Sequence, residues 1–330
     1  MRFSPRALLV GSALVLLVLG LAVLLLGTGS LPIRPGQVLA SLLGQGDSEM
    51  VRRIVTRVRL PRVLTALLVG AALGMAGAIF QSVARNPLGS PDVIGFTTGA
   101  ASGAIVQIIL FDAGPLATAL AAVLAGLLTA LLVVLLTRRT AAGAGYQLVL
   151  VGIGVGATLT GLNQLLLVTG DLDQALFAQL WLAGSLNTRT WSHVWPAALG
   201  MALVLPLALA YRRELAMLEM GDDCASQLGV AVPRARLLLV LCAVALTAIA
   251  TAAAGPIAFV ALAAPQLARR LTRSAAVPLF CAAWMGAGLL LVADWLSQRL
   301  AATAQLPVGL VTGALGGCYL LWLITAQRRG

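Results

Sequence analysis

Residues 8–27 read Leu-Leu-Val-Gly-Ser-Ala-Leu-Val-Leu-Leu-Val-Leu-Gly-Leu-Ala-Val-Leu-Leu-Leu-Gly, with no charge anywhere in the run. About 20 apolar residues are what a helix needs to cross a hydrocarbon core about 30 Å thick. The run is longer than a signal-peptide core, and no small-residue cleavage site follows it, so it reads as a retained first span. Working outward, charges, prolines and glycine clusters divide the chain into ten candidate spans near 8–27, 61–82, 93–110, 115–137, 147–168, 191–210, 235–253, 256–271, 277–297 and 307–326. The eighth is short and opens on Gly255-Pro256, which suggests a partial or tilted helix. Composition agrees: 60% of the 330 residues are hydrophobic and 10% charged, far from the balance of soluble domains. The expected fold is all-α, a polytopic transmembrane helical bundle forming one domain over 1–330.

The 22 basic residues are all arginine. Without lysine there is neither a Walker A loop nor Schiff-base chemistry, so any ATP must be hydrolysed elsewhere. With both termini in the cytoplasm, 14 arginines fall inside and 8 outside, as the positive-inside rule favours. Most of the +11 net charge therefore reflects topology, and no nucleic-acid partner is implied. Cys224, Cys242, Cys281 and Cys318 are widely spaced and read as buried free thiols; with His193 the only histidine, no metal site is indicated. His193 between Trp191 and Trp195 reads as part of an interfacial belt. No nucleophile, base or metal cluster marks a catalytic site.

Several positions carry more specific expectations. Arg52, Arg53, Arg57, Arg59 and Arg62 crowd the outer entrance to the second span, against the charge rule. They read either as a rim for an acidic partner or anionic cargo, or as arginines snorkelling at a helix start. Between spans six and seven, Glu219-Met-Gly-Asp-Asp-Cys-Ala-Ser-Gln-Leu-Gly229 reads as a small cytoplasmic surface helix. Gly221 breaks the preceding chain, Asp222 or Asp223 caps the first turn, and Gly229 suits a left-handed stop. Ala225 and Leu228 would present a small apolar face to a groove on a cytosolic partner, though an ordinary loop helix would look the same. Asp294 lies inside span nine with Arg299 one turn away, which suggests a structural pair; proton coupling is the other reading. Asn163, Gln164 and Asn187 lie near outer helix ends, where they face either cargo or water. The small-residue runs Gly70-Ala-Ala-Leu-Gly74, Gly152-Ile-Gly-Val-Gly156 and Gly313-Ala-Leu-Gly-Gly317 suit close helix packing.

Four stretches resemble the permease subunits of ABC importers for ferric siderophores, vitamin B12 and haem. They are Arg59-Leu-Pro-Arg62 through Gly70–Gly74 to Arg85-Asn-Pro-Leu-Gly-Ser-Pro91; Gly221-Asp-Asp to Leu228-Gly229; Gly255-Pro-Ile-Ala-Phe259 to Pro265; and Leu306-Pro-Val-Gly309. Within that iron-chelate branch, Gly77-Ala-Ile-Phe-Gln-Ser82 and Leu218-Glu-Met-Gly-Asp-Asp223 are similar to G-type subunits of ferric-enterobactin permeases. The resemblance implies ten spans, a heterodimer with a second homologous permease, two ATPase subunits holding ATP and Mg, an external or periplasmic siderophore-binding protein, and residence in a bacterial cytoplasmic (inner) membrane among its lipids. It implies a ferric siderophore as cargo, a catecholate such as ferric enterobactin, with vitamin B12 or haem as same-family alternatives. No cofactor is expected on this chain. The resemblance makes Gly221, Asp222, Asp223, Ala225, Leu228 and Gly229 the ATPase coupling helix. It matches Arg59 and Arg62 to arginines that receive acidic residues of the binding protein, with Arg52 and Arg53 beside them, and places a cytoplasmic gate at Gly145 and Tyr146. Two positions depart from relatives: Gln266 stands where many have His, and Gln298 where many have Arg. An ion-coupled transporter working alone, with Asp294 as the coupling residue, is the rival from another class.

Overall fold

The computed structural model describes residues 5–29, 31–45, 48–91, 95–137, 144–300 and 306–327. Its helices are α1 (Pro5–Gly27), α2 (Pro35–Leu42), α3 (Glu49–Arg53), a π-helical turn (Ile54–Arg59), α4 (Leu60–Ala84), α5 (Phe96–Phe111), α6 (Pro115–Thr137), α7 (Ala144–Thr169), α8 (Leu172–Leu182), α9 (Trp191–Ala210), α10 (Arg212–Glu219), α11 (Asp222–Gln227), α12 (Val232–Ala254), α13 (Val260–Thr272), α14 (Leu279–Leu300) and α15 (Val308–Gln327). A helix stands at each of the ten expected spans. Among the described residues, seven are long and apolar enough to cross a membrane, while α5 and α15 contribute shorter apolar stretches. The eighth expected span, α13, has 13 residues, about 20 Å of helix, and cannot cross by itself. Gly255, at φ 75°, ends α12, and Phe259, also left-handed at φ 68°, sets the start of α13.

The bundle is built around α4, whose apolar window is 78% buried, against 11% for α7. Small residues let its neighbours approach to backbone contact. A Cβ on Gly70 would stand 2.5 Å from the Gly286 oxygen, and one on Gly74 would stand 2.2 Å from the Ala282 oxygen. Lipid supplies no hydrophobic drive for helix association, so this contact is the source of cohesion. At Gly77 the reason is more specific. Pro265 has no N–H to give the Ala261 carbonyl, and that oxygen lies 1.7 Å from where a Cβ at position 77 would sit. Helices α12, α13 and α14 complete the core, with α1, α6, α7 and α9 on the outside.

Alternation of the long helices separates two ends. One carries loop 85–91, α10, α11 and the turn after α13; the other carries α2, α3, α8 and the turn after α12.

Candidate functional site

At the first end, α11 is a six-residue helix following Gly221, whose φ of 114° permits the break, and Gly229 follows it at φ 83°. Both glycines sit where the sequence places them. The caps do not: neither Asp222 nor Asp223 caps the helix, because Asp222 is drawn to cations instead. Both of its carboxylate oxygens accept from Arg236 Nη2 at 2.7 and 2.8 Å, and Arg85 Nη2 is 3.8 Å away. Ala225 is fully buried, so the apolar face is reduced to Leu228, 59% exposed, flanked by the exposed Asp223, Ser226 and Gln227. Just before the helix, the Glu219 carboxylate accepts from the Ser82 hydroxyl of α4 and from the Val277 amide at 3.4 Å. α11 is therefore seated on the bundle through two carboxylates. Gly145 and Tyr146 lie in the first turn of α7, and the Tyr146 side chain falls outside what the structure describes.

At the opposite end the arginines divide. Arg52, Arg53 and Arg57 are exposed, with Arg53 paired to Glu49 across one turn at 2.5 Å. Arg59 turns inward and donates to the Leu26 and Leu31 carbonyls, closing the end of α1. Arg62 holds Asp294 of α14 with Nε and Nη2, at 2.7 Å for the shortest contact. The π turn is the physical reason for the split. Each bond of the i→i+5 kind closes over one more residue than an α bond, so the facing lags by about one residue, roughly 100°. Asp294 is thus paired, as the sequence suggests, but with an arginine 232 positions away. Arg299 instead lies 4.8 Å from the centre of the Trp295 ring, and Gln298 donates to Asp294 Oδ2 at 2.9 Å.

Between the two ends lies a cavity of about 690 Å³. Its walls come from loop 85–91 and α5, α7, α8, α13 and α15, with polar groups from Thr97, Thr98, Thr160, Asn163, Gln164 and Gln179. Asn163 donates to the Thr98 carbonyl at 3.5 Å, and its Oδ1 is buried without a partner among the described residues. No charged side chain lines this cavity among the described residues. Asn187 lies apart from it, its amide bonded to Ser185 Oγ.

The structure also gives the surroundings of the histidine and the cysteines. His193 Nδ1 accepts from the Thr190 amide at 3.3 Å, completing a helix-start box, while Trp191 Nε1 donates to the Thr56 carbonyl. Two cysteines, Cys242 and Cys281, are buried as expected. Cys224 and Cys318 are exposed, because one falls on the outer face of α11 and the other on the open side of α15. Among the described residues, no cluster of three or more His, Cys, Asp or Glu could hold a metal ion.

The FecCD transport family matches residues 14–326. The chain belongs to the FecCD transport family. The ferric enterobactin transport system permease protein FepG of Escherichia coli (strain K12) is 49% identical over 304 residues, 92% of each chain. The Fe(3+)-citrate import system permease protein YfmE of Bacillus subtilis (strain 168) is 35% identical over 99% of this chain and 98% of its own. Among solved structures, an inward-facing metal-chelate-type ABC transporter superposes with a TM-score of 0.82 at 28% identity, covering 96% of this chain and 98% of that one. The architecture is thus that of the family's membrane subunit.

Two features of this FecCD chain escape a reading of the sequence. The Arg62–Asp294 pair joins distant spans, with Gln298, at i+4 from Asp294, as its only local signal. The second is Gln266, whose amide donates to the Pro87 carbonyl at 2.7 Å while its oxygen accepts from Tyr319 at 3.2 Å.

Proposed function

We propose that this chain is the transmembrane permease subunit of an ATP-driven importer that carries a ferric siderophore across the bacterial cytoplasmic membrane. Its full-length similarity to permeases of iron-chelate systems carries the reading, and the near-half identity to an enterobactin permease favours a catecholate cargo. The chain acts as one domain, 1–330, with both termini in the cytoplasm, beside a second homologous permease, two ATPases that bind ATP and Mg, and an external binding protein.

α11 is the coupling helix. Leu228 and Asp223 face outward to the ATPase groove, while Asp222 and Glu219 pass its displacement into α12 and α4. Gly221 and Gly229 set its limits, and Ala225 packs its inner face. On the opposite side Arg52 and Arg53 offer exposed cations to acidic side chains of the binding protein; Arg59 and Arg62 complete the rim with their remaining N–H groups. Opposite charges across such a contact speed association and weaken with salt. The first turn of α7, at Gly145 and Tyr146, forms the inner gate. A mainly apolar cavity with a few neutral amides and hydroxyls offers hydrogen bonds without a fixed counter-ion among the described residues, so an anionic chelate is not trapped there.

The test is reconstitution of the chain with its partner permease, ATPases and binding protein in vesicles. Uptake of ferric enterobactin should require ATP, fall about tenfold or more for Leu228→Asp, and lose binding-protein affinity for Arg52→Glu/Arg53→Glu in a salt-dependent way. Uptake driven by a proton or sodium gradient in vesicles holding this chain alone would overturn the assignment.

A further inference from the structure

We propose that Gln266 is a positioning residue that carries movement of the coupling region to α15, a wall of the translocation cavity. The inference rests on the reading of α11 as the ATPase coupling helix.

The route is continuous in hydrogen bonds and contacts. Asp222 at the start of α11 lies 3.8 Å from Arg85, the left-handed residue that closes α4. Loop 85–91 behind it is tied by local bonds: Asn86 Oδ1 accepts from the Leu88 amide at 2.9 Å, and the Asn86 carbonyl accepts from the Gly89 amide at 2.9 Å. Its Pro87 carbonyl takes the Gln266 amide at 2.7 Å, and the Gln266 oxygen takes the Tyr319 hydroxyl of α15 at 3.2 Å. Gln266 is buried, so both ends of its amide are committed to protein partners rather than water.

α15 is built to respond. Its outer end meets neighbouring backbone beside the cavity: the Gly309 amide donates to the Gly184 carbonyl at 3.2 Å, and a Cβ at 309 would stand 2.1 Å from the Ala183 oxygen. Gly316 rests on the Phe259 ring, where a Cβ would come within 2.0 Å. Gly313 and Gly317 face open space. Tyr319 lies ten residues, about 15 Å, along the helix from Gly309. A pull at Tyr319 is therefore carried along the helix to Gly309 and Leu310, the α15 residues that line the cavity. Loop 85–91 and α15 border the same cavity through Leu88, Ser90, Gly309 and Leu310.

The experiment uses the assembled transporter in vesicles and reads ferric enterobactin taken up per ATP hydrolysed. Gln266→Ala and Tyr319→Phe should each lower that ratio about threefold to tenfold, the net worth of one hydrogen bond, while assembly and ATP hydrolysis stay intact. Gln266→His, whose ring also carries one donor and one acceptor, should restore the ratio to within about twofold. The double variant should be no worse than the more affected single, since both bonds belong to one chain. An unchanged ratio in an assembled complex overturns the proposal, as does a parallel fall of uptake and hydrolysis or simple additivity of the two variants. Should Gln266→Ala fail to assemble, Tyr319→Phe decides alone by the same ratio. Leu228→Asp separates the two readings. If it leaves ATP-driven uptake unchanged, the coupling assignment fails; if it abolishes uptake while Gln266→Ala keeps the ratio, only the relay fails.

Discussion

Asp294 has no exposed surface, and both of its oxygens are taken, by Arg62 and by Gln298. A carboxylate inside a bundle persists only when its charge is met, because removing a partner leaves an uncompensated ion in a low dielectric. Arg62→Ala should therefore cost about 3–5 kcal/mol, whereas Arg62→Met with Asp294→Leu should come close to the parent protein. Thermal unfolding of the detergent-solubilised chain measures both; equal losses for the single and double variants would show that the pair is not what matters. The sequence makes Asp294 conspicuous but names Arg299 as its neighbour, since one turn of helix is all that local spacing reveals. Only the crossing of α4 and α14 brings Arg62 to it. Ala225 teaches the same lesson at α11, where spacing puts it on a face but the seat of the helix decides that the face is inward.

Among elements, α4 and α13 show how a local sequence feature becomes packing. Pro265 frees the Ala261 carbonyl, and Gly77 leaves room for it. Gly77→Val would drive two methyl groups into that backbone, so we expect a loss of at least about 1–3 kcal/mol and reduced accumulation in the membrane. A comparison with Gly154→Val on α7, where a Cβ meets nothing within 4 Å, provides the check: equal losses at both positions would contradict the contact. The nine long or apolar helices are legible in the sequence because continuous hydrophobic runs are a strong signal. The short elements α2, α3, α8 and α10 are not, since runs of five to eleven residues do not build a distinctive pattern. The π turn is equally silent, and it decides which arginines remain outside.

At the scale of the whole molecule, the two ends differ in what they expose. Cys224 on α11 is accessible, while Cys242 and Cys281 are buried. With α11 in the cytoplasm, a membrane-impermeant maleimide should label Cys224 of a Cys318→Ala chain in inside-out vesicles and leave it untouched in intact cells, whereas Arg53→Cys in the same background should label from outside. The opposite pattern would invert the orientation. Peripheral α7 has only 11% of its apolar window buried within the described residues. The sequence by itself determined the class of protein, the positions of its long helices, the absence of lysine and the glycine breaks that bound α11. Each of these follows from composition, from apolar runs or from glycines at breaks, which are local in the chain. Tertiary structure alone decided that Arg62 answers Asp294, that α13 is too short to span, and that Gln266 bridges Pro87 to Tyr319. Those facts depend on which faces meet when helices far apart in sequence pack, and local spacing does not encode that meeting.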